Sequence, residues 1–246
     1  MNDKRLVELT QVLRTLETES AHPESAILDT LNAAEIVRLI NTEDKKTPLI
    51  VETALPEIAR AAETAATALR KGGRVIYVGA GTSGRLGVLD AAECPPTFGT
   101  SPEQVVGLIA GGQETMIRSR EGVEDDVAAA SRDFAELSPR STDFVVGIAA
   151  SRRTPYTLRV LQDAKKIGCV TAFIICNAPE NLECDPDIVI SLPVGPEVVT
   201  GSTRLKSGTV TKMALNMIST GAMVLIGKTY GNLMVDLRAK IGRAHV

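Results

Sequence analysis

Five short runs of apolar, largely β-branched residues set the frame of this chain. They are Arg74–Val78 (RVIYV), Val105–Ala110 (VVGLIA), Phe144–Ala149 (FVVGIA), Val170–Cys176 (VTAFIIC) and Ile188–Leu192 (IVISL). None alternates cleanly between polar and apolar residues, so each predicts a strand buried on both faces. Helical patterns separate most of them. That order predicts an α/β fold, a parallel five-stranded sheet flanked by helices on both faces, with further helices at the N-terminus. In such sheets ligands lie beyond the carboxyl ends of the strands, which makes the loops after the strands the candidate site.

At 246 residues the chain is long enough for one sizeable domain with a real core. Upstream of the first strand, Leu6, Leu9, Leu13 and Leu16 predict an amphipathic helix over residues 1–20. A short helix is expected around Ala33–Ile40, and another over Pro56–Lys71, ended by Gly72-Gly73. Residues 1–55 thus form an N-terminal helical segment, 56–228 the α/β domain, and 229–246 a C-terminal segment. The net charge of −3 gives no reason to expect nucleic acid or membrane binding. No apolar run approaches a membrane span, and the N-terminus lacks a signal-peptide core. The four cysteines show no CxxC pairing, so neither a zinc site nor a disulfide framework is expected, and a reduced, cytoplasmic protein fits. With only two histidines, His22 and His245, acid–base chemistry falls to carboxylates, and no metal site is expected.

Val78–Thr97, VGAGTSGRLGVLDAAECPPT, carries the most chemistry. It predicts a strand end, a loop of small residues with the hydroxyls of Thr82 and Ser83, and a helix stopped at Pro95-Pro96. Backbone N–H groups and hydroxyls at a helix N-terminus suit a phosphate. The spacing is neither that of a nucleotide P-loop nor of a dinucleotide fingerprint, and a tight strand-to-helix connection also accounts for the glycines. Glu93 falls on one helical face with Leu86 and Leu89. Burial there raises a carboxyl pKa and favours a general acid; in a last helical turn, an acid also simply reaches water. Cys94 beside it fits a packing thiol better than a reactive one. Two further hydroxyl-bearing loops follow strands: Ala149–Tyr156 (AASRRTPY) and Thr200–Thr209 (TGSTRLKSGT), the latter opening a long helix. Three such loops, with Arg and Lys added, favour a phosphorylated small ligand over coincidental helix caps. Met116–Leu137 predicts a helix with the apolar stripe Val123, Val127, Ala130, Phe134 and Leu137. Its wheel points Glu121 and Asp125 to solvent; Glu124 and Asp126 both flank the stripe, and the pattern does not choose between them.

The strings YVGAGTSGRLGVLDAAECPPTFG, VGLIAGG, REGVEDD, EVVTGSTRLKSGT and GNLMVD, with INTEDKK and LPEIA upstream, closely resemble the N-acetylmuramic acid 6-phosphate etherase family. The resemblance runs from about Leu16 to about Ala239. It implies the sugar-isomerase (SIS) fold, a cytoplasmic homodimer, no cofactor, and cleavage of the D-lactyl ether at C3 of N-acetylmuramic acid 6-phosphate. It also implies that Glu124 removes the C2 proton and Glu93 protonates the departing lactate oxygen. Phosphate contacts are then expected from Thr82, Ser83, Ser151, Thr154, Ser202 and Lys206. Two departures stand out. Arg152 replaces the glycine of the family's AASGRTPY, with impaired or altered phosphate binding the expected result. Residues 241–246 (IGRAHV) match a translated sequencing adaptor, so the native chain is expected to continue differently. The alternatives are an aldose–ketose isomerase on the same fold, and a non-catalytic sugar-phosphate sensor like the glucokinase regulatory protein.

Overall fold

The structure, a computed structural model, describes residues 17–236. Most of the helix expected over residues 1–20, and the tail 241–246, lie outside the described residues; Glu17–Glu19 forms a single 3₁₀ turn. The five expected strands form one parallel sheet: β1 (Val75–Gly79), β2 (Val105–Ile109), β3 (Phe144–Ile148), β4 (Val170–Ile175) and β5 (Ile188–Ser191). Their order is β2-β1-β3-β4-β5, in register from Val75 opposite Val105 on one side and Phe144 on the other. The chain leaves β1 toward one edge and returns to β3 on β1's other side. The connections after β1 and β3 therefore diverge, and a crevice opens between them.

Helices cover both faces. In chain order they are α1 (Ala33–Asp44), α2 (Thr47–Glu52), α3 (Leu55–Arg70), α4 (Gly81–Phe98), α5 (Glu114–Ile117), α6 (Val127–Glu136), α7 (Pro155–Ile167) and α8 (Lys206–Leu225). Alternate strand residues feed two cores. Val75, Tyr77, Phe144 and Ile174 pack with Ile58, Ala65, Ala214 and Ile218 of α3 and α8. Ile76, Val78, Val145 and Phe173 pack on the opposite face with Phe134, Tyr156 and Leu161 of α6 and α7. A fully buried side chain of this size stabilises by about 1.5–3 kcal/mol. Val51 and Ala54 join the first core, so the N-terminal helices and the sheet share it. A short hairpin, β6 (Thr229–Tyr230) with β7 (Leu233–Met234), follows α8.

Two helix boundaries differ from expectation. Pro95 and Pro96 do not stop α4, which runs to Phe98 and ends at Gly99 in the left-handed conformation. Proline lacks a donor and its ring crowds the preceding turn, but so close to the end few ladder bonds are affected. The single helix expected over Met116–Leu137 is broken into α5, a 3₁₀ turn at Val123–Asp125, and α6. Gly122 takes φ 79°, and Asp126 accepts a hydrogen bond from the Ala129 N–H as the cap of α6. Ala130 and Phe134 of α6 are buried in the second core, with Val123 and Leu137 packed against it, whereas Val127 is exposed.

Candidate functional site

A cavity of about 330 Å³ sits at the carboxyl end of the sheet, where the β1 and β3 connections part. Its volume lies within the range of small-molecule sites. One wall is the start of α4. Helix and strand meet there with no room for a side chain: a Cβ on Gly79 would lie 2.8 Å from the Gly84 nitrogen, and one on Gly84 would lie 2.6 Å from the Gly79 oxygen. Ala80, at the N-cap, supplies no side-chain cap. The first helical bond runs from the Gly84 N–H to the Ala80 oxygen, 3.2 Å. The amides of Gly81, Thr82 and Ser83 therefore have no partner within the helix.

Thr82 and Ser83 line this cavity, and Ser151 and Thr154 line it from the β3 connection. Glu124 lines it from the 3₁₀ turn before α6. These five were singled out from sequence, and the structure brings them together. A ring of hydroxyls beside open amides, at the positive end of a helix, is suited to a phosphate.

The other three stand apart. Glu93 does not line the cavity. It is exposed, as is Leu89 of the same face at 45%, so the burial expected from the helical wheel is absent in the single chain. Ser83 and Glu93 are separated by about 15 Å along α4, at about 1.5 Å per residue. Ser202 does not line the cavity either; its neighbours Gly201 and Thr203 do. Lys206 is 2% exposed, with its Nζ 2.7 Å from Glu43 Oε2. Lys46 Nζ and His22 Nε2 reach the other Glu43 oxygen at 2.5 and 3.2 Å. Burial works to raise the Glu43 pKa, but these hydrogen bonds outweigh it and hold the carboxyl at about 2. Lys206 is thus committed to a buried ion cluster. Two of the three open amides of α8 are taken: the fully buried Glu197 accepts from the N–H groups of Lys206 (3.1 Å) and Ser207 (2.9 Å) and from the Ser207 hydroxyl (2.8 Å).

Arg152 adopts φ 60°, the backbone its glycine counterpart favours. Its guanidinium turns from the cavity to the carbonyl oxygens of Ala178, 2.7 Å away, and Glu180. It neither joins the ring of hydroxyls nor fills the cavity.

Sequence reasoning missed several cavity residues. Arg85 donates to the carbonyls of Met116 (3.2 Å) and Thr115 (2.6 Å) and to the Ser119 hydroxyl (3.2 Å), which fixes the segment leading to Glu124. Arg120 lines the wall beside Glu124. Glu19 arrives from the far N-terminal end. Asn177 pins that segment, accepting from the Thr18 N–H at 3.4 Å and donating to Thr18 Oγ1 at 3.2 Å and the Ala150 carbonyl at 2.8 Å. Arg85 and Arg120 sit inside quoted motifs; nothing local marks Glu19. The thiol beside Glu93, Cys94, is buried and pushed up to about 12 by burial, then by Asp90 and Glu93, which makes it a packing residue.

Comparison with known proteins decides the family. An N-acetylmuramic acid 6-phosphate etherase of Photorhabdus laumondii is 53% identical over 227 residues, 92% of this chain and 75% of that protein. The chain belongs to the N-acetylmuramic acid 6-phosphate etherase family. Etherases of Pasteurella multocida and Yersinia pestis are 51% and 52% identical, covering 94% and 92% of this chain and 77% of each relative. The glucokinase regulatory protein N-terminal SIS domain profile matches residues 57–165. Phosphoheptose isomerases of Neisseria gonorrhoeae and Francisella tularensis share the fold. They give TM-scores of 0.55 each at 17% and 15% identity, over 79% and 77% of this chain and 98% and 100% of theirs. Among the described residues of this etherase-family chain, no helix is long and apolar enough to cross a membrane.

Proposed function

We propose that this chain cleaves the D-lactyl ether of N-acetylmuramic acid 6-phosphate, yielding N-acetylglucosamine 6-phosphate and D-lactate, in the cytoplasmic recovery of cell-wall sugars. The observation that carries the reading is the single cavity in which open α4 amides and four hydroxyls share a wall system with Glu124, in a chain half identical to named etherases. The 6-phosphate sits at Thr82, Ser83, Ser151 and Thr154. In the ring-opened sugar the C1 aldehyde acidifies the C2 proton, and Glu124 takes it. The C3–O bond breaks with a proton delivered to the lactate oxygen, leaving a C2–C3 double bond. Water then adds across that bond, with its hydroxyl at C3 and a proton at C2. The base must be ionised and the acid protonated at one pH, so two carboxylates in different surroundings are needed.

The acid is Glu93, and it comes from a second copy. Within one chain it faces away from the cavity at the far end of α4, on a surface where Leu89 is also uncovered. A homodimer that covers this surface brings one protomer's Glu93 to its partner's cavity.

The test is D-lactate release from N-acetylmuramic acid 6-phosphate by the purified protein and by Glu93→Gln and Glu124→Gln. Each variant is expected to lose roughly 10²- to 10⁴-fold in kcat, the usual range for a positioned acid or base. Co-expressing the two variants is expected to restore part of the activity, since a hybrid dimer has one site with both carboxylates. Saturable sugar-phosphate binding with no lactate released would favour the sensor instead.

A further inference from the structure

The cavity offers more cationic chemistry than a phosphate held by hydroxyls and amides requires. Arg85 and Arg120 line it, and they differ. Arg85 is occupied with the Thr115 and Met116 carbonyls and the Ser119 hydroxyl. Among the described residues the Arg120 side chain has no hydrogen-bond or ion-pair partner. The acids of the neighbouring cleft that it also borders do not claim it. Asp126 caps α6 through the Ala129 N–H, and Asp133 accepts from the Tyr156 hydroxyl and pairs with Arg132. The two arginines of the β3 connection are turned elsewhere, Arg152 to the carbonyls of Ala178 and Glu180 and Arg153 to Glu183 at 3.2 Å, and neither lines the cavity.

Arg120 and Glu124 share one connection, reversed between them at Gly122 with φ 79°. Both line the same cavity as the β3 hydroxyls, on the connection that Arg85 fixes at Thr115, Met116 and Ser119. A substrate whose phosphate occupies the α4 amides brings its remaining groups to that wall. N-acetylmuramic acid 6-phosphate carries a second anion, the lactyl carboxylate, hung from C3. The proton that Glu124 takes is on C2, the adjacent carbon. A cation next to the base is therefore next to the carboxylate as well. Arginine's planar fork matches a carboxylate through two parallel N–H···O bonds.

We propose that Arg120 receives the lactyl carboxylate and so makes the site choose the lactyl ether over sugar phosphates that lack it. The proposal rests on the etherase reading above. It also accounts for product departure: once the ether is cut, the carboxylate leaves with lactate and the sugar keeps only the phosphate contacts.

The test is a comparison of KM for N-acetylmuramic acid 6-phosphate and for its lactamide, in which a neutral amide replaces the carboxylate, using the parent, Arg120→Gln and Arg120→Lys. Removing a charge-assisted bidentate contact is expected to raise KM for the acid roughly tenfold or more in Arg120→Gln. KM for the lactamide, and the Kd of N-acetylglucosamine 6-phosphate, are expected to stay within about twofold. Arg120→Lys is expected to recover part of the loss, as a point charge without the fork. Equal losses on acid and lactamide, or no loss on either, overturn the proposal while leaving the etherase reading intact. A parent protein that binds N-acetylglucosamine 6-phosphate but releases neither lactate from the acid nor lactamide from the amide overturns the etherase reading, and this proposal with it.

Discussion

The starts of α4 and α8 look alike in sequence and behave oppositely in the fold. Each follows a strand connection rich in glycine, serine and threonine, and each offers helix amides at a positive dipole end. At α4 those amides stay open, with Thr82 and Ser83 beside them on a cavity wall. At α8 a buried carboxylate of the chain itself, Glu197, takes the amides of Lys206 and Ser207, and Glu43 takes the lysine charge. The N-terminus proposed to hold the phosphate is the one that the fold leaves unfilled, and residue type alone does not mark it. The filled one serves as a clamp, joining α1, α8 and the segment around His22 through a single ion cluster.

The comparison breaks most visibly if the clamp is removed. Glu197→Ala leaves two buried amides and a hydroxyl without their acceptor. The expected loss is about 3–5 kcal/mol in urea unfolding, the sum of several buried donors left without an acceptor at about 1–3 kcal/mol each. A change below about 1 kcal/mol would mean that α8 needs no internal acceptor at its start.

Two carboxylates, the buried Glu43 and the half-buried Asp90, sharpen the contrast through pH. Glu43, held at about 2 by its cations, stabilises the fold above pH 4.5, and that contribution is lost as pH falls from there toward 2. Asp90 lies under α8 with its Oδ1 accepting from the Ser219 hydroxyl at 3.0 Å, and burial pushes its pKa up from 3.8 to about 6. The folded state then holds a proton that the unfolded state has already released, so stability falls as pH rises from about 4 through 6. Asp90→Asn is expected to remove that fall, making the variant more stable than the parent at pH 7.5 by on the order of 2 kcal/mol. Thermal unfolding at pH 4.5 and 7.5 checks this; parallel curves for the two proteins would contradict it.

The smallest effect is expected at Arg152. Glycine there removes the cost of a left-handed arginine but also the bonds to the Ala178 and Glu180 carbonyls. These offset, so Arg152→Gly is expected to change stability by less than about 1 kcal/mol. Sugar-phosphate affinity is expected to stay within about twofold, because the guanidinium points away from the cavity. A large gain in affinity, read by calorimetry, would mean that Arg152 obstructs the ring of hydroxyls.

What the sequence disclosed follows the range of the forces involved. All five strands were legible, because β-branched runs of four to six residues between helical patterns have few other uses in a chain of this kind. So were the cavity residues of α4 and the β3 connection, because their donors lie close together in the chain. The wheel alone does not place Glu93, since Leu86 and Leu89 define a face but not what covers it, and in the single chain that face is open. The wheel misjudged Met116–Leu137 because Gly122 and Asp126 break the ladder within an otherwise regular stripe. Lys206 looked like a ligand for phosphate because Glu43 and Glu197, which occupy it and its helix, are recognisable only once the chain has folded. Glu19 was hidden for the same reason.

The most direct test uses one serine from the start of α4 and one from the connection that leads into α8. Ser83 and Ser202 are both partly exposed and both sit in hydroxyl-rich connections, so the Ala variants differ only in which start they probe. Calorimetric titration with N-acetylglucosamine 6-phosphate is expected to show Ser83→Ala weakened roughly tenfold, the scale of one hydrogen bond to a charged group. Ser202→Ala is expected to match the parent. Equal weakening of both, or weakening of Ser202→Ala alone, would contradict the assignment of the phosphate to the start of α4.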